Sequence, residues 1–261
     1  MPGSRARAAD AELLFEAVRE AGHLAMTLLR QNVRRWSKAD GSQVTEADLK
    51  VDALLAGRLQ AARPSYGWLS EETPDSAARL SCRKVWIVDP IDGTRDFIDG
   101  GSEWCVAAAL IEDGRPVVAA VYRPVGEEFF SAIAGRGAYR DNERLSVTDR
   151  DSLEGARIAG NPRSLGYLAG HGISPGTKGE LPLQLRLAFI AAGRIDGALS
   201  IGNRNDWDLA AGDLIVGEAG GVVSDTTALP YIYNRPQAWQ HGLVAAGAKR
   251  HAMLIKALGT P

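Results

Sequence analysis

The chain has 261 residues, of which 45% are hydrophobic and 24% are charged, and its formal net charge is −2. This composition predicts one compact unit with two subdomains and a large core. A chain this close to neutral, with no basic run beyond Arg34 and Arg35, is not expected to bind a nucleic acid polymer. No apolar run approaches the ~20 residues of a membrane span, and no signal-peptide core follows Arg7, so we expect a cytoplasmic protein without a membrane partner.

The first part of the chain combines helical and strand patterns. Apolar residues at helical spacing predict a helix over residues 10–30 and a second over 46–62, with Thr45 as the N-cap and Asp48 in the first turn. Apolar or alternating runs then predict strands at 67–69, 85–89, 105–112, 117–122, 129–134 and 137–140. We therefore predict an α+β subdomain with a mainly antiparallel sheet over residues 1–148.

After about residue 150, strands alternate with helices. The predicted strands are 158–160, 196–201, 222–224 and 243–246, and the predicted helices are 182–193, 209–218 and 251–258. Residues 161–179 are rich in Gly, Pro and Ser and predict a loop. This alternation is typical of an α/β subdomain, which we place at residues 149–261.

The most informative motif follows the apolar run that begins at Trp86. It reads Asp89-Pro90-Ile91-Asp92-Gly93-Thr94. A strand that ends in this way brings two carboxylates and several backbone amides to one point at the edge of a sheet. Hard cations such as Mg²⁺ bind carboxylate oxygens, and phosphate binds amides and cations. Pro90 restricts the backbone so that the Ile91 carbonyl can face an ion, and Gly93 permits close approach of the backbone.

Two more acidic motifs occur in the chain, Leu69-Ser70-Glu71-Glu72 upstream and Trp207-Asp208 downstream. Phosphoryl transfer to water needs charge neutralisation and an in-line water, which two metal ions about 3.5–4 Å apart can supply. Because Mg²⁺ keeps several water ligands, such a site needs about four carboxylates and no complete protein cage. The candidates are Glu71, Asp89, Asp92 and Asp208.

These motifs, in this order, resemble the inositol monophosphatase superfamily of Mg²⁺-dependent, lithium-sensitive phosphomonoesterases. The resemblance extends from about Leu13 to about Leu258. It implies the layered α-β-α-β-α sandwich of the inositol monophosphatase and fructose-1,6-bisphosphatase type. It also implies two or three Mg²⁺ ions per site and a small phosphorylated substrate, and it is compatible with a homodimer.

The resemblance assigns ligands to the metal ions. It implies that Asp89 bridges two ions, that Glu71 and the Ile91 carbonyl hold the first, and that Asp92 and Asp208 complete the second. Most of these ligands belong to the predicted N-terminal subdomain, and Asp208 belongs to the C-terminal one.

The resemblance also assigns the groups that act on water and phosphate. The Thr94 hydroxyl, paired with Asp48, would take a proton from the attacking water, with Glu71 as a further catalytic group. The amides of Gly93 and Thr94, beside Asp92, would bind phosphate oxygens at a helix start. Lys38 falls where the family has a basic residue near the metal-bound waters.

Other metal or phosphate proteins fit the sequence less well. Haloacid-dehalogenase-type phosphatases place their two acids two residues apart, whereas Asp89 and Asp92 are three apart. An EF-hand loop beginning at Asp92 would place Phe97 at its sixth position, where that loop needs glycine. A non-catalytic phosphate-binding protein remains a remote alternative, although such a protein would be expected to lack some of the four acids.

The choice of substrate depends on finer features. Segments 37–42, 69–72 and 94–116 look more like the 3′(2′),5′-bisphosphate nucleotidase branch, which converts adenosine 3′,5′-bisphosphate to AMP. Ser200 stands near the position where inositol enzymes carry a sugar-binding glutamate. We therefore favour a nucleotidase, with Arg204 as a ligand of the 5′-phosphate. Inositol-1-monophosphatase, or another sugar or histidinol phosphatase of the superfamily, is the alternative.

Overall fold

The structure is a computed structural model that describes residues 2–31, 33–38, 41–176 and 181–259. Residues 39 and 40, within one segment that favours the nucleotidase branch, lie outside the described residues, as do 177–179 of the predicted loop. No helix in the described ranges is both long enough and apolar enough to cross a bilayer.

Two long helices form the outer layer of the N-terminal half. Helix α1 (Pro2–Leu29) begins well before the predicted start at residue 10, and α2 (Glu46–Ala62) agrees with the prediction. The predicted N-cap is confirmed, because the Thr45 hydroxyl accepts from the amides of Ala47 and Asp48. A hairpin of β1 (Arg35–Ser37) and β2 (Gln43–Thr45) lies between the helices. It was not predicted, because three-residue strands are too short to show a period.

In the part of the chain that the structure describes, the first sheet has seven strands, and helix α3 (Thr94–Ile98) connects the second strand to the third along the chain. Of the strand pairs described in this sheet, only the first is parallel, so the prediction of a mainly antiparallel sheet is confirmed. The strands, in both chain and spatial order, are β3 (Gly67–Ser70), β4 (Lys84–Asp92), β5 (Cys105–Glu112), β6 (Arg115–Arg123), β7 (Glu128–Ile133), β8 (Ala138–Arg140) and β9 (Glu143–Arg144).

Among its described residues, the second half supplies a five-stranded sheet, a two-stranded sheet and four α-helices. In chain order its elements are β10 (Arg157–Ala159), α4 (Pro162–Gly166), β11 (Ser174–Pro175), α5 (Leu183–Ala191), β12 (Gly197–Ser200), β13 (Arg204–Asn205), α6 (Ala210–Glu218), β14 (Gly221–Ser224), β15 (Trp239–Gln240), β16 (Leu243–Gly247) and α7 (Ala248–Ala257). The five-stranded sheet has the order β11-β10-β12-β16-β14, and β13 pairs with β15.

The predicted loop over residues 161–179 is wrong in part. Helix α4 and strand β11 lie within it. The Asn161 side chain accepts from the amide of Ser164 at 2.8 Å, and Pro162 occupies the first turn, so this short helix has a normal start. The surrounding glycines obscured these signals.

The predicted layered α-β-α-β-α sandwich is confirmed. Successive strand residues point to opposite faces of a sheet. In β4, Trp86 and Val88 belong to the core cluster shared with α1 and α2, whereas Val85 and Ile87 belong to the one shared with α5 and α6. In β16, Ala245 joins that second cluster, and Val244 joins a third with Leu254 of α7. Helices α5 and α6 therefore lie between the two sheets.

Candidate active site

The end of β4 is reshaped around Pro90. The strand was predicted to end at Asp89 but continues to Asp92, with a shift of register against β5 between these two residues. Proline has no N–H for the ladder and is tolerated at such an irregularity. The shift brings both aspartates to the end of the strand, with Asp89 only 1% exposed.

Gly93 makes the turn from β4 into α3. Its φ is +101°, a region that favours glycine. A Cβ at this position would lie 2.6 Å from Pro182 Cγ and 2.8 Å from the Glu103 carbonyl oxygen. The turn therefore requires glycine, and it places Thr94 at the first position of α3.

A cavity of about 520 Å³ gathers most of the predicted site residues. We call it the acidic cavity. Asp48 and Lys38 are not on its wall but contact residues that are, as described below. The predicted residues on its wall are Glu71, Asp89, Ile91, Asp92, Gly93, Thr94, Arg204 and Asp208.

The acids of this cavity repel one another. Burial raises the pKa of Asp89 well above its ordinary value, and the nearby Glu71, Asp92 and Asp208 carboxylates raise it further. Burial likewise raises the pKa values of Asp92 and Asp208 to about 7. Gathering buried acids in this way is unfavourable unless a cation neutralises them.

The donor set fits a hard divalent cation. Asp89 Oδ1 is buried and has no hydrogen-bond partner within the described ranges, so a bound cation would satisfy it. One oxygen each of Asp92 and Asp208 accepts from a main-chain amide, of Gln184 at 2.7 Å and of Asn205 at 2.9 Å. These two contacts fix both carboxylates in the cavity.

The set is nevertheless open. No three histidine, cysteine or carboxylate side chains of the described residues are arranged to hold one ion by themselves. The Glu71 carboxylate is instead paired with Lys38, whose Nζ lies 2.9 Å from Glu71 Oε1 and 2.6 Å from Glu72 Oε1. An open set suits Mg²⁺, which keeps several water ligands. The assignment of individual ligands stays a prediction.

Thr94 and Asp48 are in contact, as the proposed pairing requires. Thr94 Oγ1 lies 3.2 Å from Asp48 Oδ1 and 3.1 Å from the Ile91 carbonyl oxygen. The other oxygen of Asp48 accepts from the Thr45 amide at 2.8 Å and from the Thr45 hydroxyl at 2.6 Å. These contacts orient the buried carboxylate, so that its Oδ1 is directed at the Thr94 hydroxyl.

Arg204 lies on the wall of the acidic cavity, in β13. Its Nε and Nη2 donate to Ser200 Oγ at 3.0 and 2.5 Å, and its Nη1 donates to the Asn203 carbonyl oxygen. Ser200 is therefore a buried partner of this arginine.

Two polar residues of α5 were missed in the sequence. Arg186 lies on the cavity wall, and its Nε donates to the Leu181 carbonyl oxygen at 2.5 Å. Gln184 is buried, and its side chain donates to the Trp207 carbonyl oxygen at 2.7 Å and accepts from the Gly212 amide at 2.8 Å. Both interrupt the otherwise apolar stretch Leu183–Ala191, and that interruption was the signal available.

Known proteins resemble the chain over most of its length. A model of the inositol monophosphatase family matches residues 8–260. An inositol-1-monophosphatase of Mesorhizobium japonicum is 35% identical, covering 84% of this chain and 86% of its own. A 3′(2′),5′-bisphosphate nucleotidase CysQ of Aggregatibacter actinomycetemcomitans is 27% identical, and the match covers 87% of this chain and 88% of that protein. The crystal structure of extragenic suppressor protein suhB from Bartonella henselae matches with a TM-score of 0.82 and 30% identity, and the match covers 96% of this chain and 98% of that one.

Proposed function

The chain belongs to the inositol monophosphatase family and is a phosphatase, and from that premise we propose that it is a Mg²⁺-dependent 3′(2′),5′-bisphosphate nucleotidase. Its reaction would be hydrolysis of the 3′-phosphate of adenosine 3′,5′-bisphosphate to give AMP. The observation that carries this proposal is the presence of Arg186 and Arg204 on the wall of the acidic cavity.

The two arginines are close enough to the acids to affect them. Burial raises the pKa values of Asp92 and Asp208, and the charges of Arg186 and Arg204, respectively, oppose that rise. A phosphate bound to the metal ions leaves the second phosphate of a bisphosphate without a cation. Guanidinium groups bind phosphate oxygens in a fork, so these two arginines are suitable partners for that second phosphate.

Ser200 supports the same proposal. It is buried, and its hydroxyl accepts two hydrogen bonds from Arg204. A glutamate here would offer its carboxylate to sugar hydroxyls. The serine instead helps to hold an arginine on the cavity wall, which favours an anionic group over a neutral polyol.

The protein groups that would act on water are Thr94 and Asp48. Mg²⁺, when bound by the acids, would supply charge neutralisation and a water of lowered pKa. Thr94 Oγ1 would accept a proton from the attacking water and pass its own hydrogen to Asp48 Oδ1, 3.2 Å away. Asp48 then holds the proton, while its Oδ2 remains bound to Thr45.

The proposal is tested by assaying adenosine 3′,5′-bisphosphate, 3′-AMP and inositol 1-phosphate with Mg²⁺. Arg186→Ala and Arg204→Ala should each raise KM for the bisphosphate about tenfold or more, because a charge-assisted contact is worth roughly 1.5–3 kcal/mol. Both variants should leave KM for 3′-AMP unchanged, because 3′-AMP lacks the 5′-phosphate. Arg150→Ala, which removes an exposed arginine outside the cavity, is the matched control.

Inositol-1-monophosphatase activity is the second candidate. The 35% identity to the Mesorhizobium japonicum enzyme favours it. If kcat/KM for inositol 1-phosphate exceeds that for the bisphosphate in the unmodified protein, this second candidate replaces the nucleotidase.

A further inference from the structure

The first turn of α5 lies between two acids that come from different halves of the chain. Asp92 ends β4, and Asp208 stands just before α6. The predicted ligand set gives both acids to one Mg²⁺ ion, so that ion needs the two elements at a fixed separation. Gln184, the second residue of α5, contacts both elements and is completely buried.

The main-chain amide of Gln184 holds the first acid. The first amides of a helix have no partner inside the helix, and Pro182, at the N-cap of α5, has no side-chain acceptor. Asp92 Oδ2 supplies an acceptor, at 2.7 Å from the Gln184 amide. The positive end of the helix also favours a carboxylate at this point. Asp92 therefore fixes the start of α5 while it lines the acidic cavity.

The side chain of Gln184 holds the element that carries the second acid. Its Nε2 donates to the Trp207 carbonyl oxygen at 2.7 Å, and its Oε1 accepts from the Gly212 amide at 2.8 Å. The Trp207 carbonyl shares a planar peptide group with the Asp208 nitrogen, so this bond orients the main chain from which the Asp208 side chain projects. Asp208 Oδ2 is in turn held by the Asn205 amide at 2.9 Å.

Close packing of α5 on α6 allows the side chain to reach both groups. A Cβ at Gly212 would lie 2.4 Å from Leu187 Cβ, so glycine is what lets the two helices approach. Apart from Gln184 and Arg186, α5 consists of apolar residues. A buried amide is unfavourable unless it is hydrogen-bonded. Gln184 therefore contributes two directed bonds where an apolar side chain would contribute only contact area.

We propose that Gln184 is a positioning residue that sets the separation of the Asp92 and Asp208 carboxylates and thereby the affinity of the acidic cavity for Mg²⁺. It is not on the cavity wall and acts only through the two acids. This inference rests on the proposed function, because it takes both acids as ligands of one ion. Residues that orient metal ligands in this way typically contribute about 10–100-fold to metal affinity.

Gln184→Met tests the proposal. It removes both side-chain hydrogen bonds, keeps the length of the side chain and leaves the main-chain amide on Asp92. Calorimetric titration of Mg²⁺ into full-length protein, freed of metal on a chelating resin, should show binding that is weaker by about tenfold or more. The Mg²⁺ concentration for half-maximal turnover should rise by a similar factor, and kcat at saturating Mg²⁺ should be nearly restored.

Tyr231→Phe is the matched control. Tyr231 is buried, and its hydroxyl lies 2.8 Å from the Ser224 carbonyl oxygen and 2.6 Å from that of Gly242, outside the acidic cavity. This variant should melt at a lower temperature than the unmodified protein, as Gln184→Met should, but should keep full Mg²⁺ affinity. If Gln184 had only a structural role, both variants would keep that affinity.

Two more variants keep the test decisive. Gln184→Asn retains an amide that is too short to make both bonds, so it should also bind Mg²⁺ more weakly, and it serves if Gln184→Met does not fold. Asp208→Asn removes a proposed ligand and should weaken binding more than either. If the unmodified protein binds no Mg²⁺, or Asp208→Asn binds it normally, the proposed metal site fails and the inference with it. If Asp208→Asn weakens binding while the folded Gln184 variants bind normally, the inference alone is overturned.

Discussion

Replacing Thr94 with alanine tests the proposed proton transfer most directly. The change removes a hydroxyl that lies 3.2 Å from Asp48 Oδ1 and 3.1 Å from the Ile91 carbonyl oxygen. The hydroxyl has one hydrogen, so only one of these bonds is donated at a time, and the structural loss should be about 1 kcal/mol. Asp48 should keep its position, because both hydrogen bonds from Thr45 to Oδ2 remain.

The catalytic loss should be far larger than the structural one. A general base contributes about 10²–10⁴ to the rate, which corresponds to about 2.7–5.4 kcal/mol of transition-state stabilisation. The loss should appear in kcat, with KM little changed, because the proton moves only in the transition state. Thr94→Ser keeps the hydroxyl and should retain activity within about tenfold of the unmodified enzyme.

Steady-state kinetics with Mg²⁺ and thermal unfolding of the same samples separate the two effects. Thr148→Ala is the matched control, because Thr148 Oγ1 donates to Asp196 Oδ1 at 2.5 Å in an equivalent bond outside the acidic cavity. It should lose stability but keep kcat. If Thr94→Ala loses only the stability that Thr148→Ala loses and turns over normally, the hydroxyl has a structural role and the reasoning fails.

Four further outcomes are expected. Asp89→Asn should lower both kcat and the Mg²⁺ affinity measured by calorimetry by several orders of magnitude. In the absence of metal, the variant should melt no lower than the unmodified protein, because the change removes a repelled buried charge. Normal turnover would contradict the two-metal assignment. Gly93→Ala should lower the free energy of unfolding, measured with denaturant, by about 2–4 kcal/mol, because alanine is strained at a positive φ and its Cβ would clash with Pro182. An unchanged free energy of unfolding would contradict the turn geometry. Burial alone would raise the pKa of Asp196, but hydrogen bonds from Arg157 and Thr148 lower this pKa to about 2. The ionised Asp196 therefore stabilises the fold fully at a pH above its ordinary pKa of 3.8, and this stabilisation is lost as pH falls through about 2. The difference in Tm between the unmodified protein and Asp196→Asn should therefore shrink between about pH 5 and pH 2. Activity should need added Mg²⁺ and be inhibited by lithium, and full activity in chelator would refute the cofactor assignment.

Local patterns predicted the fold well where they were long. Helix α2, its Thr45 cap and strands β3 to β8 of the first sheet follow from periodicity and capping, which depend on neighbouring residues only, whereas the two-residue strand β9 was not predicted. Short elements escaped prediction for the same reason. The β1–β2 hairpin and β13 have two or three residues per strand, and their pairing depends on partners elsewhere in the chain.

The sequence by itself determined the centre of the site, because Asp89 to Thr94 is a continuous motif whose proline and glycine shape the backbone locally. Only the tertiary structure decided what surrounds it. Gln184 binds Asp92 from a position 92 residues away, and the α5 helix that carries it also places Arg186 on the cavity wall. Contacts of this range arise from the packing of layers, which a local pattern does not encode.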